Sequence, residues 1–377
     1  MRILFFLPVI TPWWFDHIVT PMLRRLHDHA DLAEIHVMVA PLWRNTGIAG
    51  EQLAPIAGLS KLRWHIIDEA DPEMFRRAAH KIPGLLDSVA AIAPDLTLAR
   101  SADFDTPARF PGIVRYIMEG AAAPFVTDPA WVVLEERPFE YGAMPDDIAL
   151  IGACVERVAP VWDHARAAAV PREVGRAELG LPADRAVLAV PLQYEHGENF
   201  YLEHAAYPGG IALLSALLDR VPADVLIAVS DHPLNRLYVN RTALDYFAAS
   251  HADRIRLITA DNATARLTLA ADAVLTDLSK TWSLAAFAGT PLLHVGAYPV
   301  AGWLWANTDL AAIGQGGLLA PDTDAVRRWF AWHLAGRLLR PEAVDLPLLR
   351  RHVAQQATLA DLDANVAALA SLIGEPV

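Results

Sequence analysis

Cysteine is almost missing from this sequence, which has only Cys154 among its 377 residues. A single cysteine excludes an internal disulfide framework and a zinc site built from several cysteines. We therefore interpret Cys154 as a small core residue on a helix. Long apolar runs are also missing. Apolar residues make up 54% of the chain, yet no uninterrupted run reaches the eighteen or so residues that a membrane-spanning helix needs.

Positive charge is scarce as well. The chain has 31 basic and 44 acidic residues, which gives a formal net charge of −13. Because a nucleic-acid partner needs a basic surface, this balance argues against one. Any anionic substrate must then be held by local groups. Lysine is the rarest basic residue, found only as Lys61, Lys81 and Lys280.

The first residues, MRILFFLPVITPWWFDH, resemble a signal peptide only superficially. They contain one arginine, a short apolar run and two tryptophans, and they have no small-residue cleavage site. We interpret this stretch as a first buried strand, and on that basis we expect a cytoplasmic protein.

The first part of the chain alternates short apolar runs with helical patterns. Strands are predicted at 2–10, 34–41, 61–68 and 95–101, and helices near 15–30 and 72–92. A long helical pattern over 147–170 then leads into a stretch rich in proline, glycine and charge, which predicts a domain junction.

A second alternation follows the junction. It predicts strands at 186–193, 224–233, 254–260, 273–279 and 291–296, with helices between them and two more near 323–338 and 357–372. The predicted fold class is α/β, with two Rossmann-like doubly wound domains facing across a cleft in which ligands bind. We place the N-terminal acceptor domain at 1–170, the C-terminal donor domain at 171–350, and in 351–377 a helix that could return to the N-terminal domain.

Polar residues interrupt the apolar pattern where the strand at 273–279 ends and a helix begins. Backbone N–H groups and the helix dipole favour an anion at such a turn. Hydroxyl donors and a positive charge would come from Ser279, Lys280, Thr281 and Ser283. The alternative, to which we give equal weight, is that Ser279 or Thr281 only caps the helix.

Two further polar clusters follow strands of the same predicted sheet. In AVSDHPLNR, Pro233 directs the chain out of the sheet, and His232 could bond a phosphate or carboxylate or give a proton to a leaving phosphate. A lone histidine is more often structural. In PLQYEHGENFYLEH the polar residues around Gly197 are Gln193, Glu195, His196, Glu198 and Asn199. An ordinary surface loop is the alternative there. A metal site is disfavoured because strict ligand spacing on a helix is missing.

With these three pieces in order, the C-terminal half resembles GT-B glycosyltransferases, specifically the bacterial capsular-polysaccharide group related to Kdo (3-deoxy-manno-octulosonic acid) transferases. The resembling elements are PLQ with its polar loop, the His232-Pro233 pair and LTDLSKTWSLAAFAGTPLLHVG. Similar motifs occur in bacterial sialyltransferases, and the last string also resembles CDP-glycerol glycerophosphotransferases. The segment 117–145 is a weaker match that points to Glu119 and Glu135. Ser230-Asp231 departs from the basic residue that often precedes the His-Pro pair.

The resemblance implies transfer of an acidic, Kdo- or sialic-acid-like sugar from a CMP- or CDP-linked donor to a cell-surface polysaccharide or lipid-linked acceptor. His232, Pro233 and the hydroxyl-rich turn at 279–283 would hold the phosphate, with Gln193 and Asn199 beside it. A carboxylate would deprotonate the acceptor or attack the sugar, and the candidates are Glu119, Glu135, Asp16, Asp128 and Glu198. Trp13 and Trp14 would stack on the acceptor, although core packing is the more common role. No metal or other cofactor is expected.

Two alternatives remain open at the level of function. The same fold could serve a CDP-glycerol-type glycerophosphotransferase or a UDP-sugar 2-epimerase-like enzyme, or it could be a non-catalytic module that binds a glycan or a partner. The segment RRWFAWHLAGRLLR, residues 327–340, could also lie on the inner face of an anionic membrane. Ordinary packing with a solvated arginine face is the favoured interpretation of that segment.

Overall fold

A computed structural model describes residues 1–68 and 71–373 of the chain. Its strands are Arg2–Phe6 (β1), Glu34–Val39 (β2), Leu62–Ile66 (β3), Leu96–Ala99 (β4), Ile113–Glu119 (β5), Val132–Glu135 (β6), Val187–Pro191 (β7), Leu226–Ser230 (β8), Ile255–Ile258 (β9), Ala273–Thr276 (β10) and Leu292–His294 (β11).

The α-helices are Pro12–Trp14 (α1), Thr20–His27 (α2), Gly50–Leu53 (α3), Pro72–Arg77 (α4), Leu85–Ile92 (α5), Ile148–Ala168 (α6), Arg172–Glu178 (α7), Gly210–Arg220 (α8), Pro233–Tyr238 (α9), Thr242–Ser250 (α10), Ala263–Ala270 (α11), Thr281–Ala288 (α12), Thr323–Ala331 (α13), Leu346–Val353 (α14) and Leu359–Ile373 (α15). One π-helical segment, Phe15–Val19, precedes α2, and another, Trp332–Arg337, follows α13.

The strands form two sheets with the same order at their centre. The first sheet runs β3-β2-β1-β4-β5-β6 and is parallel except for β6, which pairs antiparallel with β5. The second sheet runs β11-β10-β7-β8-β9, and all of its pairs are parallel. In each sheet the chain first extends to one side and then returns to the other, which is the Rossmann order. The chain is therefore an α/β protein with two Rossmann-like sheets.

Burial on both faces explains the continuous apolar strand sequences. In β1, Ile3 and Phe5 belong to a core shared with Leu23 of α2, while Phe6 packs edge-on against Phe75 of α4 at 5.7 Å. In the second sheet, Leu188 and Val190 of β7 join a core with α8 and α10, and the alternate residues of that strand are buried too. Such strands need apolar side chains at every position, which is why no alternation with polar residues is present.

The chain divides into two compact units. Of the described residues, the first unit contains 1–68, 71–121, 128–138 and 334–367, and the second contains 122–127, 139–333 and 368–373. The helix α6 groups with the second unit, because Trp162 packs on Phe287 and Phe330, and Arg166 donates to the Phe287 carbonyl. The expected boundary at 170 therefore lies inside the second unit, and residues 334–350 group with the first. Residues 374–377 of the expected terminal segment lie outside the described residues.

Most predicted elements are present. The first strand, the long helix α6 and all five strands of the second sheet occur where the pattern predicted them, and Cys154 is buried in α6, where burial raises the pKa of its thiol to about 12. The helix expected over 72–92 is instead α4 and α5, separated where Pro83 and Gly84 break the pattern. Strands β5 and β6 were missed, because both lie toward one side of the sheet and polar residues interrupt β5.

Protonation of paired histidines should weaken the fold. His36 Nδ1 lies 2.9 Å from His65 Nε2, so one ring must accept while the other donates. Burial lowers the pKa of both. The unfolded chain then binds more protons than the folded chain at pH values just below 6.5, so the free energy of unfolding should fall as the pH drops through that value. Urea unfolding between pH 8 and pH 5 measures this.

A substitution at this pair tests the cause of the pH dependence. His65→Gln removes one titrating ring, so its unfolding free energy should depend less steeply on pH than that of the wild type. His164→Gln, at an exposed position on α6, should leave the wild-type slope unchanged. An unaltered slope in His65→Gln would show that this pair does not contribute.

Candidate functional site

The strand order brings three predicted polar clusters to one edge of the second sheet. Because β7, β8 and β10 are parallel, the segments that follow Pro191, Ser230 and Thr276 leave the sheet at the same edge. The strand β7 lies between the other two, so β8 and β10 are about 10 Å apart. The gap between β7 and β10 is also where the strand order reverses, the position at which open α/β sheets bind ligands.

A buried ion-pair network joins the loops after β7 and β8. The Arg241 guanidinium donates to Asp231 Oδ1 and Oδ2, each at 2.9 Å, and also to the Glu195 carboxylate. Glu195 Oε1 in turn accepts from the Gly210 N–H at 2.5 Å at the start of α8. Glu195, one of the polar residues predicted around Gly197, therefore holds the site together. The contribution of Arg241 was missed, because it lies ten residues after Asp231 with no motif around it.

Asn235 connects the same two loops through its amide. Its Nδ2 donates to the Gln193 carbonyl and to Asp231 Oδ1, both at 2.7 Å, and its Oδ1 accepts from the Glu195 N–H at 2.8 Å. The residue is fully buried and was not predicted to matter. Its three bonds place the backbone of Gln193 beside the loop after β8.

His232 presents one ring nitrogen as a hydrogen-bond donor. Its Nδ1 accepts from the Leu234 N–H at 3.3 Å, which caps α9, with Pro233 as the first helical residue. Since Nδ1 accepts, the proton of the neutral ring lies on Nε2. Burial lowers the pKa of His232, against the opposing charge of Asp231, so the ring is neutral at pH 7. A neutral ring donates a hydrogen bond from Nε2 but is not a ready source of a proton.

The loop after β7 is ordered by its own polar residues. Glu198 accepts from the Tyr194 hydroxyl at 2.8 Å, and Asn199 Nδ2 donates to the Tyr194 carbonyl at 2.8 Å. His196 Nδ1 lies 3.7 Å from Glu198. Asn199 and Glu198 thus shape the loop. Among residues 1–68 and 71–373, no three His, Cys, Asp or Glu side chains are grouped so that they could hold a metal ion.

The turn before α12 is half-buried and is closed by its own side-chain hydrogen bonds. Ser279 Oγ lies 2.9 Å from Thr281 Oγ1 and accepts from the Thr281 N–H at 3.3 Å, so the capping interpretation holds for Ser279. Lys280 occupies the N-cap position without a capping side-chain bond. Ser283 is buried, and its hydroxyl donates to the Lys280 carbonyl at 3.0 Å. Ser283 therefore supports the helix from inside, while Ser279, Lys280 and Thr281 lie at its start.

Asp277 lies beneath this turn and was not predicted as a site residue. Its Oδ2 accepts from the Ala206 N–H at 2.7 Å, whereas its buried Oδ1 has no hydrogen-bond partner among the described residues. Burial raises its pKa, opposed by the Ala206 N–H and by His294. A Cβ at position 296 would lie 2.8 Å from Oδ1, so any larger residue there would displace the Asp277 carboxylate. Between this carboxylate and the β7 loop is a small cavity of about 30 Å³, lined in part by Gln193.

In the first sheet, the order reverses between β1 and β4, and Arg100 follows β4 at that point. The guanidinium lies 3.8 Å from the ring centre of Trp14 and donates to Glu119 Oε1 at 2.5 Å. Trp14 is buried, whereas Trp13 is 42% exposed and packs on His17. Of the two candidate stacking rings, only Trp13 is therefore available to an acceptor. Arg100 was missed because its strand shows no recognisable motif.

The remaining carboxylate candidates are scattered. Glu135 is paired with Tyr116, three residues before Glu119 on β5, because β6 runs antiparallel. Glu135 therefore lies away from the carboxyl edge, beside Arg337 at 3.6 Å. Asp16 is exposed and accepts from Gln52 at 3.1 Å.

Asp128 and the predicted membrane-facing segment also have structural surroundings. Asp128 is exposed and bonds the Ala130 N–H in a turn. The apolar residues of segment 327–340, including Trp329, Trp332 and Leu338, are buried, which agrees with the favoured interpretation of ordinary packing for this segment. No helix in the part of the chain that the structure describes is long and apolar enough to cross a bilayer.

No family model matches the sequence, and no curated protein matches it. KpsC of Thermosulfurimonas dismutans, a β-Kdo 2,7-transferase, is a similar solved structure at 13% identity, covering 80% of this chain and 91% of that one with a TM-score of 0.48. The E. coli ADP-heptose LPS heptosyltransferase II matches at 13% identity, 82% and 88% coverage and a TM-score of 0.25.

The UDP-GlcNAc 2-epimerase of Neisseria meningitidis matches at 13% identity over 100% of both chains, with a TM-score of 0.27. Likenesses at these identities and TM-scores carry no argument about function. The strand order establishes the fold, and the function is inferred from the geometry of the site.

Removing Arg241 should strongly destabilise the second unit. Arg241→Met would leave Asp231 and Glu195 without their shared cation in a largely buried place, which typically costs about 3–5 kcal/mol. Chemical denaturation measures the loss of unfolding free energy.

The matched control uses the same carboxylate. Arg236 also contacts Asp231, at 3.5 Å, but is much more exposed. Arg236→Met should therefore cost less than about 1 kcal/mol. Equal losses for the two variants would contradict the role assigned to Arg241.

Proposed function

We propose that this protein is a glycosyltransferase that moves an acidic sugar from a cytidine-nucleotide donor to a cell-surface polysaccharide or a lipid-linked acceptor. The observation that carries the proposal is the convergence of His232, Gln193 and the start of α12 at one edge of the second sheet. The donor class comes from the resemblance of these motifs to cytidine-dependent transferases.

The convergent groups suit the phosphate of a nucleotide. His232 offers Nε2–H, the start of α12 offers the positive end of its dipole, and Lys280 offers a positive charge. A chain with a net charge of −13 repels anions at long range, so binding must come from such close contacts. Arg241 does not serve this purpose, because it is committed to Glu195 and Asp231.

The same contacts would assist departure of the nucleotide. When the bond between the anomeric carbon and the phosphate oxygen breaks, the electron pair remains on the phosphate, and donors aimed at it stabilise the developing charge. The lowered pKa of His232 favours a hydrogen-bond role over proton donation. Since these protein groups supply the positive potential, we propose that the reaction does not need a divalent metal.

Glu119 is the carboxylate that we propose as the acceptor base. It lies at the carboxyl edge of the first sheet, and Arg100 bonds one of its oxygens at 2.5 Å. As base it would take the proton of the acceptor hydroxyl while that oxygen bonds the anomeric carbon. Asp16 is the second choice. Glu198 is less suitable because its carboxylate already accepts a hydrogen bond from the Tyr194 hydroxyl. Trp13 is the exposed ring on which an acceptor sugar would stack.

The phosphate contact of His232 predicts a specific loss of affinity. His232→Asn keeps an oxygen that can accept from the Leu234 N–H but removes the ring Nε2 donor. Loss of one hydrogen bond to a charged group should weaken CMP binding about tenfold or more. Isothermal titration calorimetry with CMP and CDP measures it.

The control for this variant is His164→Asn, at an exposed position of α6. It should bind CMP like the wild type. If His232→Asn, still folded by circular dichroism, also binds CMP with wild-type affinity, the phosphate assignment is wrong.

The charge at the start of α12 gives a second prediction. Lys280→Gln should weaken CDP binding several-fold and make it less sensitive to salt, because one screened charge–charge attraction is lost. Lys81→Gln, at an exposed position of the first unit, is the matched control. Titrations at 50 and 300 mM NaCl compare the variants, and an unchanged salt dependence in Lys280→Gln would count against the assignment.

A donor panel tests the reaction itself. CMP-Kdo, CMP-sialic acid, CDP-glycerol and UDP-GlcNAc are each incubated with the protein and a polysaccharide acceptor, with and without EDTA. We expect nucleotide release from a CMP-linked acidic sugar and no effect of EDTA. Turnover of CDP-glycerol or UDP-GlcNAc alone would replace the proposed reaction by the corresponding alternative, and failure to bind any nucleotide would favour a non-catalytic module.

A further inference from the structure

A row of aromatic rings begins at His232 and ends at the surface. The His232 ring centre lies 5.3 Å from that of Tyr194, which lies 5.7 Å from His196, and His196 lies 6.4 Å from Tyr238. The rings of Tyr194 and His196 are nearly parallel, at 12°. We call these four residues the aromatic row. It connects the loop after β7 with both ends of α9.

The inner part of the row is held rigidly. The Tyr194 hydroxyl donates to Glu198, and burial together with Glu198 raises the pKa of that hydroxyl, so it stays protonated. Glu198 also lies 3.7 Å from His196 Nδ1. Tyr194 is half-buried and has the rings of both His196 and His232 as neighbours. The outer rings are therefore the more accessible surface for a flat ligand.

The outer end of the row is strongly exposed. The Tyr238 side chain is 64% exposed, and Leu237 beside it is 70% exposed. His196 is also partly accessible. Ring surface left open next to a polar cluster is typical of a place where a ligand with a flat face binds.

The position of the aromatic row beside the proposed phosphate-binding residues indicates which ligand the row would bind. His232 belongs both to the proposed phosphate site and to the inner end of the row. A nucleotide bound through its phosphate at His232 has its base at the other end of the same molecule. Aromatic side chains hold bases by stacking, and this tolerates any base because each has a π face.

We propose that Tyr238 and His196 form the nucleobase subsite of the donor nucleotide, with the base stacked on the outer end of the aromatic row. This inference rests on the proposed function, since it assumes that the phosphate binds at His232. Glu198, with its carboxylate beside His196, would accept a hydrogen bond from an amino group on the base. Because the aromatic row would bind the donor nucleotide, the acceptor sugar would bind at a different place.

The experiment compares a ligand that has a base with one that lacks it. CMP and ribose 5-phosphate share the phosphate and ribose, so a change confined to CMP reports on the base. Tyr238→Leu should weaken CMP binding at least about fivefold, the lower end for one base–aromatic stack, and should leave ribose 5-phosphate binding unchanged. Tyr238→Phe keeps the ring and should bind CMP like the wild type. Competition calorimetry and saturation-transfer NMR measure both ligands.

Tyr246 provides the matched control, because it is an equally exposed tyrosine on α10 outside the row. Tyr246→Leu should bind both ligands like the wild type. Saturation of aromatic protein protons should transfer most strongly to cytosine H5 and H6, and less so in Tyr238→Leu.

The outcomes separate the two proposals. If the wild type does not bind CMP, the proposed function fails and this inference fails with it. If the wild type binds CMP but Tyr238→Leu binds it equally well, only the base subsite is overturned. Equal weakening of CMP and ribose 5-phosphate would overturn it too, since the effect would then not concern the base.

Discussion

The arrangement of the second unit depends on one guanidinium. Arg241 neutralises two carboxylates, Asp231 after β8 and Glu195 after β7, in a largely buried place where an unpaired charge is costly. Because Glu195 also bonds the first N–H of α8, the same ion pair orients a helix of the core. Asn235 adds bonds between the two loops. The acidic residues of this rim thus stabilise the site, which leaves the positive potential for a ligand to His232 and the start of α12.

The carboxylates are thus paired within the protein, and separate groups would contact the ligand, which explains how an acidic protein would bind an anion. The proposed contacts are a neutral ring N–H, the positive end of one helix dipole and a single lysine, all of short range. Beneath them the buried Asp277 holds the Ala206 segment through one oxygen. The layer under the ligand therefore contains a buried hydrogen bond, and the layer that would touch it is half-buried. The aromatic row continues that layer along the surface.

Much of the architecture could be predicted from local pattern. The strands of the second sheet consist mostly of buried apolar residues, and so β7 to β11 were found. The strand β6 and the break between α4 and α5 were not, because a four-residue strand at a sheet edge carries little pattern and a Pro-Gly pair is short. Trp13 and Trp14 are adjacent tryptophans that the sequence pattern does not distinguish, yet Trp13 is exposed and Trp14 packs against Arg100. Neighbours distant in sequence make that difference.

The sequence by itself determined which residue types end each strand of the second sheet, since turns and helix starts select proline, serine and threonine locally. Only the tertiary structure decided which of those ends are neighbours. Strand order placed His232, Gln193 and Ser279 on one edge, and the antiparallel direction of β6 moved Glu135 away from Glu119. The physical reason is that strand pairing and the burial of side chains such as Arg241 bring together residues that are far apart in the sequence. The distance between two residues along the chain does not predict whether they are neighbours in space.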